Sequence, residues 1–126
     1  EWRAVSGRRQ PFHQRRADRA PFAMAGLYDC WRPAEGEPVA SCTIVTTEAN
    51  ALLAPLHDRM PVILEPEAWD AWLDPESRDT DALSALLRPA PVEGWVSYAV
   101  DTRMNRARHD EASNVEPIFD EGPPAG

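Results

Sequence analysis

His57 stands in Leu56-His57-Asp58-Arg59-Met60-Pro61, a charged triplet set between apolar residues. Imidazole is the side chain that titrates near neutral pH, so a histidine beside a core suits proton transfer. The same pattern also describes a loop histidine whose ring bonds to Asp58 or to a carbonyl, and the residues alone leave both readings open. Glu1 precedes Trp2, and an aromatic neighbour can desolvate a carboxyl and turn it into a useful acid. Solvated, the same glutamate would do nothing. Cys30 and Cys42 offer a thiolate nucleophile if His57 lies within reach, but both fall in apolar runs where inert core cysteines are common. His13 lies among arginines and is expected at the surface; His109 sits in a polar stretch and is expected to be solvated. No HExxH, HxxxH or CxxC spacing occurs and no glycine-rich phosphate loop, so neither a metal nor a cofactor is implied. All thirteen basic residues are Arg, which removes lysine Schiff-base chemistry and leaves an α-amine as the one imine-forming group.

Positioning these groups falls to a series of short elements. Gln10 to Arg16 reads as a strand. Phe22 to Trp31 reads as a second, whose aromatic and small residues suit a buried central place. Val39 to Thr47 is rich in β-branched residues and is the clearest strand. In succession these suggest an antiparallel meander. Glu48 to Ala54 is a short helix candidate, capped by Thr47 or Asn50 and limited by Pro55. Leu56 to Pro61 is a loop, and Val62 to Leu64 a short strand. Glu65 to Leu73 opens with proline and acids in its first turn and spaces Trp69, Trp72 and Leu73 along one helical face. Asp79 to Leu87 is a second amphipathic helix, stopped by Pro89, and Trp95 to Val100 a last strand. Met104 to Pro117 is polar and irregular. Residues 119–126 are expected to be a disordered tail, leaving 1–118 as one domain, itself only part of a larger one.

Charge is divided along the chain. Residues 1–33 hold seven Arg against three acids, and the remainder six Arg against eighteen, within a net charge of −8. The whole-chain balance argues against nucleic acid, whereas the basic front segment argues for it or for a solvated strand. No run of about 18 apolar residues is present to cross a membrane as a helix. Cysteine usage implies no disulfide framework and fits a reducing, cytoplasmic setting.

Several motifs occur in a telling order: Glu1-Trp2, Ala25-Gly26-Leu27-Tyr28, Thr46-Thr47-Glu48-Ala49-Asn50, His57-Asp58-Arg59-Met60-Pro61, VILEPEAWDAWLDP over 62–75, LLRPAP over 86–91, and Thr102-Arg103-Met104-Asn105. This set resembles roughly the second half of a protein of the SOS response-associated peptidase (SRAP) family. The resemblance implies an α+β fold in which an antiparallel, barrel-like curved sheet carries short peripheral helices. It implies covalent attachment to abasic sites in single-stranded DNA during the DNA-damage response, with peptidase activity on the protein's own N-terminus. The family's N-terminal cysteine supplies amine and thiol, and a glutamate and a histidine assist; these map onto Glu1 and His57. Arg59 is then expected to contact a DNA phosphate, and Trp2 to flank the DNA groove or pack in the core. The expected groove is lined by the Arg-rich front segment and the His57 loop, with the acidic helices turned away. The family's MCGRF-type start and its asparagine-bearing NARAE-type segment are not among these residues. The chain alone is therefore expected to form no crosslink, and a non-catalytic DNA-binding remnant or a Cys–His hydrolase are the alternative readings.

Overall fold

The computed structural model describes residues 1–118. Its strands are β1 (Trp2–Val5), β2 (Arg8–Arg16), β3 (Ala23–Met24), β4 (Gly26–Trp31), β5 (Val39–Ile44), β6 (Thr46–Glu48), β7 (Arg59–Pro61), β8 (Ile63–Leu64) and β9 (Trp95–Ala99). The helices are α1 (Pro66–Leu73) and α2 (Thr80–Ser84), with single 3-10 turns at Thr102–Asn105 and Ala112–Val115. All strand pairs are antiparallel, in the order β1-β2-β9, β3-β8, β4-β5 and β6-β7. The α+β character expected from the sequence is present, but no closed barrel forms among the described residues.

Three single residues join the paired segments. Ala25 links β3 to β4, Val45 links β5 to β6, and Val62 links β7 to β8. Their backbones form a closed ring: the Ala25 N–H donates to the Val62 carbonyl, Val62 to Val45, and Val45 to Ala25, each at 2.9 Å. Three extended segments thus meet at one point and exchange partners there. Ala25 and Val62 are fully buried and, with Leu64, form the core, against which Val45, Trp69, Trp72 and Leu86 pack. Alanine is small enough to let three backbones converge, and valine favours the extended conformation that each requires.

This junction corrects the expected meander. Phe22–Trp31 and Val39–Thr47 are each broken in two, because the segment changes partner at Ala25 and at Val45. β2 pairs not with the next strand but with β9. The chain leaves β2 through a turn in which the Asp18 carboxylate accepts from the Arg16 guanidinium and the Ala20 N–H, with Arg19 in the left-handed region at φ 62°. Those bonds hold the Asp18 carboxyl down at about 2. β4 is not a buried central strand either: Leu27, Tyr28 and Trp31 are 56%, 86% and 65% exposed. Aromatic, small-residue composition records a need for cover, and no described element lies over them.

The helices behave more nearly as read. α1 begins at Pro66 with Glu67 in its first turn. Its Trp69 and Trp72 indoles donate to the Leu64 and Gly26 carbonyls at 2.9 and 3.1 Å, fixing the helix to the junction. Leu73, the last helical residue, is 75% exposed and does not share that face. α2 is capped by Asp79, which accepts from the Ala82 N–H, and is shorter than its amphipathic pattern. After Ser84 the bonds tighten to i−3, Leu86 to Leu83 and Leu87 to Ser84. The helix expected over 48–54 does not form: Glu48 ends β6, and residues 51–56 are a run of turns. The tail proposed for residues 119–126 lies outside the described residues.

β1 and β2 form a hairpin with a two-residue turn, Ser6 at φ 49° and Gly7 at φ 76°, the left-handed pair that matches strand twist. β2 also contains Pro11, which cannot donate to a neighbour. Val100 gives its N–H to the Pro11 carbonyl at 3.1 Å, and Pro11 has none to return. The Gln10 side-chain amide fills the gap, donating to the Val100 carbonyl at 2.7 Å. Since an unpaired buried carbonyl costs about 1–3 kcal/mol, Gln10→Ala is expected to lower unfolding stability by that amount in a urea titration, and Gln10→Glu no less. An unchanged midpoint would show that water satisfies Val100 equally well.

Candidate functional site

His57 ends the turn that links β6 to β7, and its placement is built from Asn50. The Asn50 side-chain oxygen accepts from the Leu52 and Leu53 N–H groups at 3.1 Å each, and its amide donates to the Ala90 carbonyl at 2.9 Å. Ala54 donates to the Asn50 carbonyl and His57 to the Leu53 carbonyl. The capping role open to Thr47 or Asn50 thus belongs to Asn50, while Pro55 interrupts further helical bonding. The His57 ring is exposed. Its Nδ1 accepts from the Arg59 N–H at 3.0 Å, which leaves Nε2 as the protonated nitrogen of the neutral ring, free to face a ligand. In the charged ring, Nδ1–H has the Asp58 carboxylate at 3.2 Å and the Arg59 carbonyl at 3.1 Å as acceptors.

Arg59 reaches back across the β6-β7 pair, giving one guanidinium nitrogen to the Thr46 carbonyl at 2.7 Å and to its hydroxyl at 3.1 Å. The head group is oriented, exposed and free of a carboxylate partner among the described residues, the condition in which an arginine can take an anion.

Glu1 arrives from the other side. Its carbonyl accepts from the Phe12 N–H at 2.7 Å, continuing the β1-β2 ladder. Its carboxylate has no hydrogen-bond or ion-pair partner among the described residues. Glu1 lines a cleft of about 170 Å³ with Gln14, Phe22, Asn50, Leu53, Met60 and Trp95. Leu53 is the residue that accepts the His57 N–H, and Met60 follows Arg59 in β7. Glu1 therefore shares this cleft with Asn50 and Leu53 of the His57 turn, while the His57 and Arg59 side chains lie outside its lining and make no bond to Glu1. Trp2 is half-exposed and held by its indole donating to Asn105 at 2.6 Å, with the Arg9 guanidinium over its ring at 5.1 Å. It is neither free to swing nor buried in the core.

Alternation along β2 divides the front-segment arginines between two faces. Arg3, Arg8 and Arg16 share the Glu1 face, and Arg16 is already engaged by Asp18 and Glu65. Arg9 and Arg15 lie on the opposite face with Trp2, His13 and Tyr98. The whole Arg-rich segment therefore does not line one groove, a correction that one strand's two-residue period makes necessary. His13 is half-buried, not a surface group: its ring lies 5.5 Å from that of Tyr98, and burial followed by the Arg15 charge pushes its pKa down. His109 is half-buried as well, packed near Glu111. Cys30 and Cys42 are free thiols on the β4-β5 ribbon, Cys42 exposed, and neither bonds to His57. No Cys–His pair exists among the described residues, nor does any group of acidic, histidine and cysteine side chains that could hold a metal. No helix among the described residues is long and apolar enough to cross a membrane. Gln14 and Asn105 carry no local sign of their roles, because their partners Ser97 and Trp2 lie far away along the chain.

The profile of the family described as SOS response associated peptidase (SRAP) matches residues 1–107. The chain belongs to the SRAP family. Among curated SRAP relatives, the abasic site processing protein YoqW of Bacillus subtilis is 41% identical over 95 residues, covering 75% of this chain and 42% of YoqW. The abasic site processing protein HMCES of Gallus gallus is 38% identical over 99 residues, 77% of this chain and 29% of HMCES. A crystal structure of a Bacteroides thetaiotaomicron protein superposes with a TM-score of 0.79 at 28% identity, covering 94% of this chain and 53% of that one. A Bordetella bronchiseptica structure gives 0.65 at 35% identity, over 76% and 47%. The chain spans about half the length of the relatives it matches, or less.

Asn50 supports the SRAP turn through three bonds, so Asn50→Ala should cost about 1–2 kcal/mol and speed amide exchange at Leu53 and His57. Denaturation and hydrogen exchange read both. Unchanged exchange at His57 would mean that Pro55 and the β6-β7 pairing hold the turn unaided.

Proposed function

We propose that this chain carries the assisting half of an abasic-site processing protein, acting on abasic sites in single-stranded DNA in the cytoplasm and at the nucleoid during the damage response. What carries the reading is that Glu1 and the His57 turn border one cleft in a chain whose relatives bear the name abasic site processing protein. The ring-opened abasic sugar presents an aldehyde. An amino-terminal cysteine condenses with it: the amine adds to the carbonyl, water leaves to give an imine, and the thiol adds across the C=N bond to close a thiazolidine. One water is lost overall. Departure of the hydroxyl needs a proton, which the Glu1 carboxyl supplies, and the His57 Nε2–H orients the opened sugar or shuttles protons. Arg59, oriented by Thr46, neutralises a phosphate beside the site, and Trp2 flanks the strand, where stacking on a base contributes about 1–3 kcal/mol. Peptidase activity, in this reading, acts on the protein's own N-terminus.

Glu1 and His57 assist and do not themselves bond to DNA, and the chain's two cysteines, Cys30 and Cys42, have no α-amine of their own. Incubated with an end-labelled single-stranded oligonucleotide bearing one abasic site, the chain is expected to bind reversibly and to leave no band that survives a denaturing gel. Binding should weaken as salt rises, and Arg59→Gln should reduce affinity and lower the salt slope by about 0.7, one phosphate contact on a single strand. A denaturation-resistant adduct, or affinity indifferent to salt and to Arg59, would contradict this assignment.

A further inference from the structure

Trp2 lies on β1, an edge strand paired with β2 alone, and all of that strand's residues are exposed. A tryptophan in such a place samples several rotamers unless contacts select one. Two contacts do so here. The Arg9 guanidinium lies over the ring at 5.1 Å from its centre, and the indole Nε1–H donates to Asn105 Oδ1 at 2.6 Å. Trp2 still keeps 41% of its surface open. The ring is presented and fixed at once.

Asn105 reaches it from 103 positions further along the chain. It ends the 3-10 turn Thr102–Asn105, and that turn is anchored at its start. Val100 is buried and bonded to Pro11 and to the Gln10 side chain of β2. Asp101 caps the turn, its carboxylate accepting from the Arg103 N–H at 2.7 Å and from the Arg103 guanidinium at 3.0 Å. Those bonds, the backbone one first, hold the Asp101 carboxyl below its usual range. The Asn105 amide nitrogen then donates to the Arg9 carbonyl at 3.2 Å while its oxygen accepts from the indole. A carboxamide answers both partners because it carries a donor and an acceptor side by side. An aspartate would keep the acceptor and lose the donor. Asn105 thus joins the two residues that set the ring, from outside the lining of the Glu1 cleft.

We propose that Asn105 is a positioning residue that sets the Trp2 ring for stacking on a base beside the abasic site. The proposal rests on the reading of Trp2 as a flank of bound single-stranded DNA. A side chain that must be ordered on binding weakens affinity about two- to tenfold, and a ring held beforehand avoids that loss. The effect of Asn105 therefore runs through Trp2, unlike that of a clamp between β1 and β2.

The test is a double-mutant cycle on the 126-residue chain, read as anisotropy of a fluorescent single-stranded oligonucleotide with one abasic site. Trp2→Ala should weaken binding about fivefold or more, the loss of a stacked base. Asn105→Ala should weaken it about two- to tenfold, and should cost nothing further in the Trp2→Ala background. Nor should it matter on an oligonucleotide whose two nucleotides on each side of the abasic site also lack bases. Asn105→Asp provides a second variant: by NMR its Trp2 indole N–H should stay protected from exchange, whereas that of Asn105→Ala should not. Affinity unmoved by Trp2→Ala would remove Trp2 from the DNA-binding reading and this inference with it. Weakening by Trp2→Ala with Asn105→Ala neutral would overturn the inference alone. So would a loss in Asn105→Ala that persists without Trp2 or without neighbouring bases, or indole protection lost in Asn105→Asp.

Discussion

Three backbone hydrogen bonds around Ala25, Val45 and Val62 connect everything else in this molecule. Each residue both gives and receives one bond in the ring, with Ala25 and Val62 fully buried and Val45 partly so. Made, such a bond contributes about 1 kcal/mol; left unmade in a buried place, it costs about 1–3 kcal/mol. Breaking one therefore frees two groups at the point where three extended segments cross. The ring also sets geometry. β3-β8, β4-β5 and β6-β7 radiate from it as separate pairs, so the direction of each is decided at the junction and not by its own turn.

The candidate site inherits that geometry. β7 leaves the junction at Pro61 and carries Arg59 and the His57 turn at its far end, while Asn50 ties the same turn to Ala90. Glu1 is delivered separately, by the β1-β2 ladder, and β2 reaches the rest of the fold through β9, the Gln10–Val100 bond and the cleft shared with Met60. Two independent supports thus bring Glu1 and the Asn50–Leu53 part of the His57 turn to one cleft, with the His57 ring outside its lining.

What was legible in the sequence follows from what is local. α1 announced itself through Pro66, Glu67 and the Trp69–Trp72 spacing, and Asp79 marked the start of α2, because caps and first turns are set by neighbours. The β1-β2 turn and the partner of β2 were not legible in the same way: Val39–Thr47 is one β-rich run, and nothing in its composition says that pairing changes at Val45. Cover was illegible too. Tyr28 and Trp31 read as core because aromatic strands usually are, yet here they lie exposed. The site divides along the same line. His57, Arg59 and Glu1 stood out by type and motif, whereas Gln14, Asn105 and the supporting bonds of Asn50 depend on residues brought together only by the fold.

The most direct test of this account is residue-resolved amide exchange. If the junction holds the fold together, the Ala25, Val45 and Val62 N–H groups should exchange last and at one common rate, that of global unfolding, and the β4 and β5 outer amides far sooner. Exchange of the three at different rates, or ahead of the β2-β9 amides, would contradict the claim that one ring of bonds positions the rest.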